Sequence, residues 1–120
     1  MNKLTLLIAA VSLAACAKKG MSPAMRTDIE TKLASTQQPI QDCYQRQLTT
    51  NRKLQGMVVV QAAIQADGTF SDVTLRRDEP QDPVLKFCVV QSIAKLKLDK
   101  PPGDKVQLES IPIKFVWANP

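Results

Sequence analysis

The chain has no histidine, and among its 120 residues are only three cysteines, one tryptophan, one tyrosine and three phenylalanines. Without histidine there is no imidazole to act as general base, to orient a serine or cysteine nucleophile, or to bind a metal. The cysteines form no Cys-x-x-Cys spacing of a zinc or redox site. There is no Gly-x-Ser-x-Gly elbow and no phosphate-cradling Walker loop. Asp78 and Glu79 are the most concentrated acidic pair, but adjacent residues diverge rather than converge on one substrate. Scattered aromatics that do not interleave with arginine provide no stacking platform for single-stranded nucleic acid. The sequence therefore predicts no catalytic residue, no metal, no cofactor, no small-molecule substrate and no nucleic-acid partner.

No apolar run is long enough to cross a bilayer as a mature helix. Leu4 to Leu13 is the nearest, and it follows the positive start Met1-Asn2-Lys3. A short apolar stretch with a basic start is the pattern of a secretory signal. Its end, Leu13-Ala14-Ala15-Cys16, resembles the lipobox of bacterial lipoproteins. The resemblance implies cleavage after residue 15 and acylation of Cys16, hence a membrane partner through a lipid anchor and a periplasm-facing location. Ala17 rather than Asp follows the cysteine, which by resemblance to sorted enteric-type lipoproteins implies the outer membrane. Residues 1–15 are thus expected to be a signal peptide and 16–22 a tether, with one domain over 23–120. Losing Lys3 with the leader leaves fifteen Lys/Arg against eleven Asp/Glu, a net charge of +4. With Cys16 assigned to lipid, Cys43 and Cys88 are left as an even pair. They are either buried free thiols or a bridge, and an oxidising compartment favours the bridge.

The rest of the chain alternates helix and strand signals. Ser22-Pro23 reads as N-cap and first helical residue, followed by a stripe of Met25, Ile29 and Leu33. Pro39 interrupts that helix, and the pattern resumes as Ile40, Cys43, Tyr44, Gln47 and Leu48. Gly56 to Gln65 is the most apolar, β-branched stretch and leads into Asp67-Gly68, the signal of a hairpin. A two-residue loop would place Ile64 opposite Ser71, Ala62 opposite Val73 and Val60 opposite Leu75. Asp82-Pro83 opens a second helix whose core stripe holds Leu85, Cys88, Val89, Ile93 and Leu96, widened by Phe87, Val90 and Ala94. In the last strand Val106 and Leu108 have one parity and Ile111, Ile113, Phe115 and Trp117 the other, which predicts a bulge near Pro112 and an edge position.

The predicted fold is α+β with two layers. A three-stranded antiparallel sheet of order 3-1-2 has the Gly56 strand in its centre and helices packed on one face. The succession Ile40-x-x-Cys43-Tyr44, Leu54-x-Gly56, Val58-x-Val60, Ile64-x-x-x-Gly68, Cys88, Leu96-x-Leu98 and Pro112-x-x-Phe115 resembles the AgmX/PglI C-terminal domain, a branch of the TonB/TolA C-terminal fold. Leu96 and Leu98 stand where that family has aromatics, and Pro39 falls inside the first helix. The resemblance implies a two-layer domain, a disulfide between the helices, and a non-enzymatic protein-interaction module with an envelope protein as partner. An alternative is a structural or accessory lipoprotein that aids assembly of an envelope, motility or secretion complex. TonB proteins drive uptake through a transmembrane helix and a Pro-rich linker, neither of which is in this sequence, so energy transduction by this chain alone is not expected. Residues expected to meet a partner are Met57, Val59 and Phe70 on the open sheet face and Ile111, Ile113 and Trp117 on the last strand. Either that face is open or the Met25–Leu33 segment covers it.

Overall fold

The computed structural model describes the backbone of residues 3–8 and 21–118, and the side chains of 21–116. In chain order the elements are β1 (Lys3–Ile8), α1 (Pro23–Ser35), α2 (Gln37–Leu48), β2 (Gly56–Ile64), β3 (Phe70–Asp78), α3 (Pro83–Ala94) and β4 (Val106–Ala118).

Both caps read from the sequence are formed. Ser22 Oγ accepts the Met25 N–H at 3.1 Å, and Asp82 Oδ1 accepts the Leu85 N–H at 2.9 Å, with a proline following each cap. The α1/α2 break falls at Thr36, three residues ahead of Pro39. Proline has no N–H to reach the preceding turn, so it fits the first turn of α2, where those donors are unpaired anyway. The buried Thr36 is satisfied: its hydroxyl donates to Leu33 O at 2.6 Å, while its own carbonyl accepts from Ile40.

β2, β3 and β4 form the antiparallel sheet β4-β2-β3, the expected 3-1-2 order with the Gly56 strand central. The helices lie on one side of it. Val58, Val60, Ala62 and Ile64 join Ile29, Leu33, Ile40, Tyr44, Leu85, Val89 and Ile93 in a single buried cluster. Because Ile29 and Leu33 belong to that cluster, α1 lies in the helical layer and does not cover the opposite sheet face. Tyr44 and Phe115 meet with ring centroids 4.9 Å apart, and the Tyr44 hydroxyl donates to Leu54 O at 2.5 Å. Burial pushes that phenol's pKa up. Cys43 and Cys88 form a disulfide that ties α2 to α3.

A fourth strand departs from the sequence-based expectation. Residues 3–8, read as part of a signal peptide, pair antiparallel with β4, extending the order to β1-β4-β2-β3.

Register is where alternation fails. Val60 does pair with Leu75, but Ile64 pairs with Phe70 and Ala63 with Ser71. The hairpin loop is longer than two residues: Gln65 N–H donates to Thr69 O and Gly68 N–H to Gln65 O, both at 2.8 Å. Asp67 Oδ1 accepts from the Thr69 amide and hydroxyl, and Gly68 takes φ +96°. The tip is also held from outside, since Leu98 N–H donates to Gly68 O at 2.9 Å and Phe70 N–H to Leu96 O at 3.2 Å. A bulge at Asp72, with φ 51°, then switches the parity of β3. Phe70 therefore shares the core face with Val73 and Leu75, where strict alternation puts it on the other side. In β4 the expected bulge is present between Leu108 and Ile111, opposite Gln61, just ahead of Pro112.

One helical expectation is corrected. Phe87 and Ala94 do not widen the core stripe of α3; Phe87 is 64% exposed, Ala94 is exposed too, and Val84 is 50% exposed. Phe87 follows Leu85 by two residues, about 200° round the helix, so a flat sheet cannot reach both.

Candidate partner-binding surface

Met57 and Val59 lie on the sheet face turned away from the helices, as expected from their parity, and both are half-buried. Register places Val59 between Arg77 of β3 and Pro112 of β4, and Met57 beside Lys114. Val116 is half-buried too and has the same parity as Pro112 and Lys114. Together these residues make a small apolar strip bordered by cations. At its end is an open groove of about 490 Å³ lined by Gln55, Gly56, Met57, Arg77, Glu79, Lys114, Phe115 and Val116. Farther along the face the polar groups bond to one another: Gln61 donates to the Glu109 carboxylate and Arg76 to the Glu109 carbonyl.

Three of the six expected partner-facing side chains are placed elsewhere. Phe70, Ile111 and Ile113 are 4%, 1% and 1% exposed and belong to the core. The bulges on β3 and β4 turn them toward the helices, so only the backbone of Ile111 and Ile113 belongs to the outer strand. Trp117 sits on β4 opposite Leu4, and its side chain lies outside the described side chains. Cys16 lies outside the described residues altogether. Pro112, Val116, Arg77 and Lys114 were not anticipated. The signal for them is their cross-strand position relative to Met57 and Val59, which is visible only once both bulges are placed.

The groove is closed at one end by a clamp. Glu79 Oε1 accepts the Met57 N–H at 2.7 Å, and its other oxygen pairs with Arg77. The Met57 amide first, and then Arg77, hold the Glu79 carboxyl below its ordinary pKa. Gly56 is required here, with φ +137° and a position where a Cβ would come within 2.7 Å of Glu79 Cβ. Because the folded pKa is depressed, the stabilisation from Glu79 is present above the ordinary glutamate value of 4.5 and is lost as pH falls through the lower folded value. Glu79→Gln should therefore flatten the acid limb of the stability curve below pH 4.5 and leave its shape near pH 7 unchanged. Urea titrations at several pH values would show this; an unaltered acid limb would contradict it.

A second cavity, about 520 Å³, lies between α1 and the segment after α3, lined by Ser22, Met25, Asp28, Thr31, Asp99, Lys100 and Pro102 among others. Its principal carboxylate is already engaged, because Asp28 accepts the amides of Asp99 and Lys100 and pairs with Lys32. These contacts dock α1 against the α3–β4 connection. Among the described residues, no three of His, Cys, Asp and Glu come together to hold a metal. Asp78 and Glu79 are both engaged by backbone amides, Asp78 by Gln81 and Glu79 by Met57.

The outer edge of β4 is the other surface. β1 occupies it from Ile113 to Ala118, with Ile8 opposite Ile113, Leu6 opposite Phe115 and Leu4 opposite Trp117. The pairing ends at Ile113, next to Pro112, which has no amide to donate to a neighbouring strand. Of the helices, α2 runs closest to β1. The edge thus carries a short antiparallel strand beside a helix.

No protein-family model matches the chain. None of the curated proteins searched matches it either. Among solved structures, the chain is similar to the C-terminal domain of Helicobacter pylori TonB, determined by solution NMR, with 24% sequence identity and a TM-score of 0.57. The likeness covers 88% of this chain and 92% of that one, so the fold is that of a TonB C-terminal domain.

Proposed function

We propose that this protein is a non-enzymatic interaction module of the bacterial cell envelope, anchored by lipid on Cys16, facing the periplasm from the outer membrane and recruiting a protein partner by strand addition. The observation that carries this reading is the edge of β4, which holds an added antiparallel strand on a TonB-like sheet. Backbone hydrogen bonds supply affinity in such additions, and alternate side chains supply specificity. The leader pattern before Cys16 supports the anchor. The disulfide between α2 and α3 supports likeness to the AgmX/PglI branch.

Two measurements test the reading. Mass spectrometry of the membrane-extracted protein should find a diacylglyceryl-modified N-terminus at Cys16, and Cys16→Ser should move the protein to the soluble fraction. A photo-crosslinker placed at Val116 should capture an envelope protein in cells, and one at exposed Gln45 on α2 should not. Equal capture from both positions would remove the edge as the contact surface.

A further inference from the structure

Among the described residues, the large apolar side chains left exposed are Val84 and Phe87, and both belong to α3. With Gln91 and Ala94, also exposed, they form one stripe about 15 Å long on the side turned away from Leu85, Val89 and Ile93. We infer that this outer stripe of α3 rests on the anionic phospholipid surface that holds the lipid anchor. The helical layer then faces the bilayer, and the outer sheet face, with Met57 and Val59, is turned away from it. This rests on the Cys16 anchor proposed above.

Three observations select that occupant. First, α3 is apolar on all sides, a composition expected of a helix covered on all sides, yet this chain leaves the Phe87 side bare. Second, the flanks of the stripe carry one sign of charge. Lys86 and Lys95 lie on either side of it, neither pairs with a carboxylate among the described residues, and no acid occurs from Pro83 to Leu98. An aromatic set between lysines on a helix is the pattern that enters the head-group boundary. A second copy fits worse, because an antiparallel pair of such stripes would bring lysine toward lysine. Third, the anchor is close. Asp28 of α1 accepts the amides of Asp99 and Lys100, just past α3, so the start of α1 lies beside the C-terminal end of α3. Cys16 is seven positions before Pro23, a reach of at most about 25 Å, and Lys18 and Lys19 in between add the same charge.

The test places photo-crosslinking benzoylphenylalanine in place of Phe87 or of Val59 in the full chain, in cells grown on radioactive phosphate. An acyl anchor contains no phosphate, so label that phospholipase C releases from the denatured protein reports captured phospholipid. Position 87 should carry at least tenfold more of this label than position 59. Lys86→Glu combined with Lys95→Glu should cut it at least tenfold while urea unfolding stays unchanged. Should that pair fail to fold, Lys86→Gln with Lys95→Gln should still cut it at least threefold. A crosslinked dimer from position 87, capture of another protein there, or equal label at both positions would each overturn the inference. Acyl on Cys16 without label at 87 would overturn it and leave the anchor standing. Label at 87 on a protein without acyl at Cys16 would uphold the lipid-facing stripe and remove the anchor.

Discussion

Cys43→Ser and Cys88→Ser should each lower the melting temperature by roughly 15–30 °C, and combining them should add little. The bond closes a loop across a sequence separation of 45 residues. The chain-entropy account assigns such a loop about 4 kcal/mol, because the open chain regains conformations that the bridge forbids. Cys43 is buried and Cys88 half-buried at the seam between α2 and α3, so the hydroxyl introduced by Cys43→Ser is also removed from water. Once either half is gone the bridge is gone, so the double variant should melt near the weaker single one. Calorimetry on the oxidised protein, with a dithiothreitol-treated sample as reference, reads this directly. Unchanged melting in both single variants would show that the helices hold together without the bond. For a protein with one small core, a term of this size is a large share of the net stability.

Phe70→Ala should cost about 3–5 kcal/mol, while Phe87→Ala should change stability by less than about 0.5 kcal/mol. The two phenylalanines have exchanged the roles that simple periodicity gives them. Phe70 is 4% exposed and paired with Ile64 in the core; Phe87 is 64% exposed on the outer side of α3. Removing Phe70 leaves a cavity under the hairpin tip, where Leu96 and Leu98 are held by backbone bonds to Phe70 and Gly68 and cannot move in to fill it. Removing Phe87 exposes nothing new. Urea unfolding of the two variants at neutral pH separates them, and similar losses would contradict the burial difference. Gly68→Ala belongs with Phe70: the left-handed φ of +96° penalises any Cβ, so a loss of about 1 kcal/mol is expected in the same assay.

Much of this architecture is legible in local chemistry. Ser22-Pro23 and Asp82-Pro83 set the helix starts because a side-chain oxygen and a proline suit the same unpaired first turn. The row Val58, Val60, Ala62 and Ile64 marks the central strand because only a strand covered by neighbours on both sides can place so many β-branched and small residues together. The parity change from Leu108 to Ile111 reveals a bulge without any structure. Met57 and Val59 are assigned to the outer face by the same counting. The counting fails at Asp72, which carries no apolar signal and adopts φ 51° at the β3 bulge. One inserted residue there turns Phe70 inward and removes one of the three residues of the apolar face patch that the sequence suggests.

The sequence by itself determined the order of elements after residue 22, the central strand, the two capped helix starts and the cysteine pair, since each depends on residues close together in the chain or on an even count of thiols. Tertiary structure alone decided which side of the sheet Phe70 joins, which face of α3 meets water, and what lies against the outer edge of β4. Those outcomes depend on distant partners. Leu96 and Leu98 grip the hairpin, the core lies on the Leu85 side of α3 and leaves Phe87 outside, and residues 3–8 meet β4 more than a hundred positions later. Local preference cannot encode such contacts, because their free energy comes from surfaces brought together only after the chain has folded.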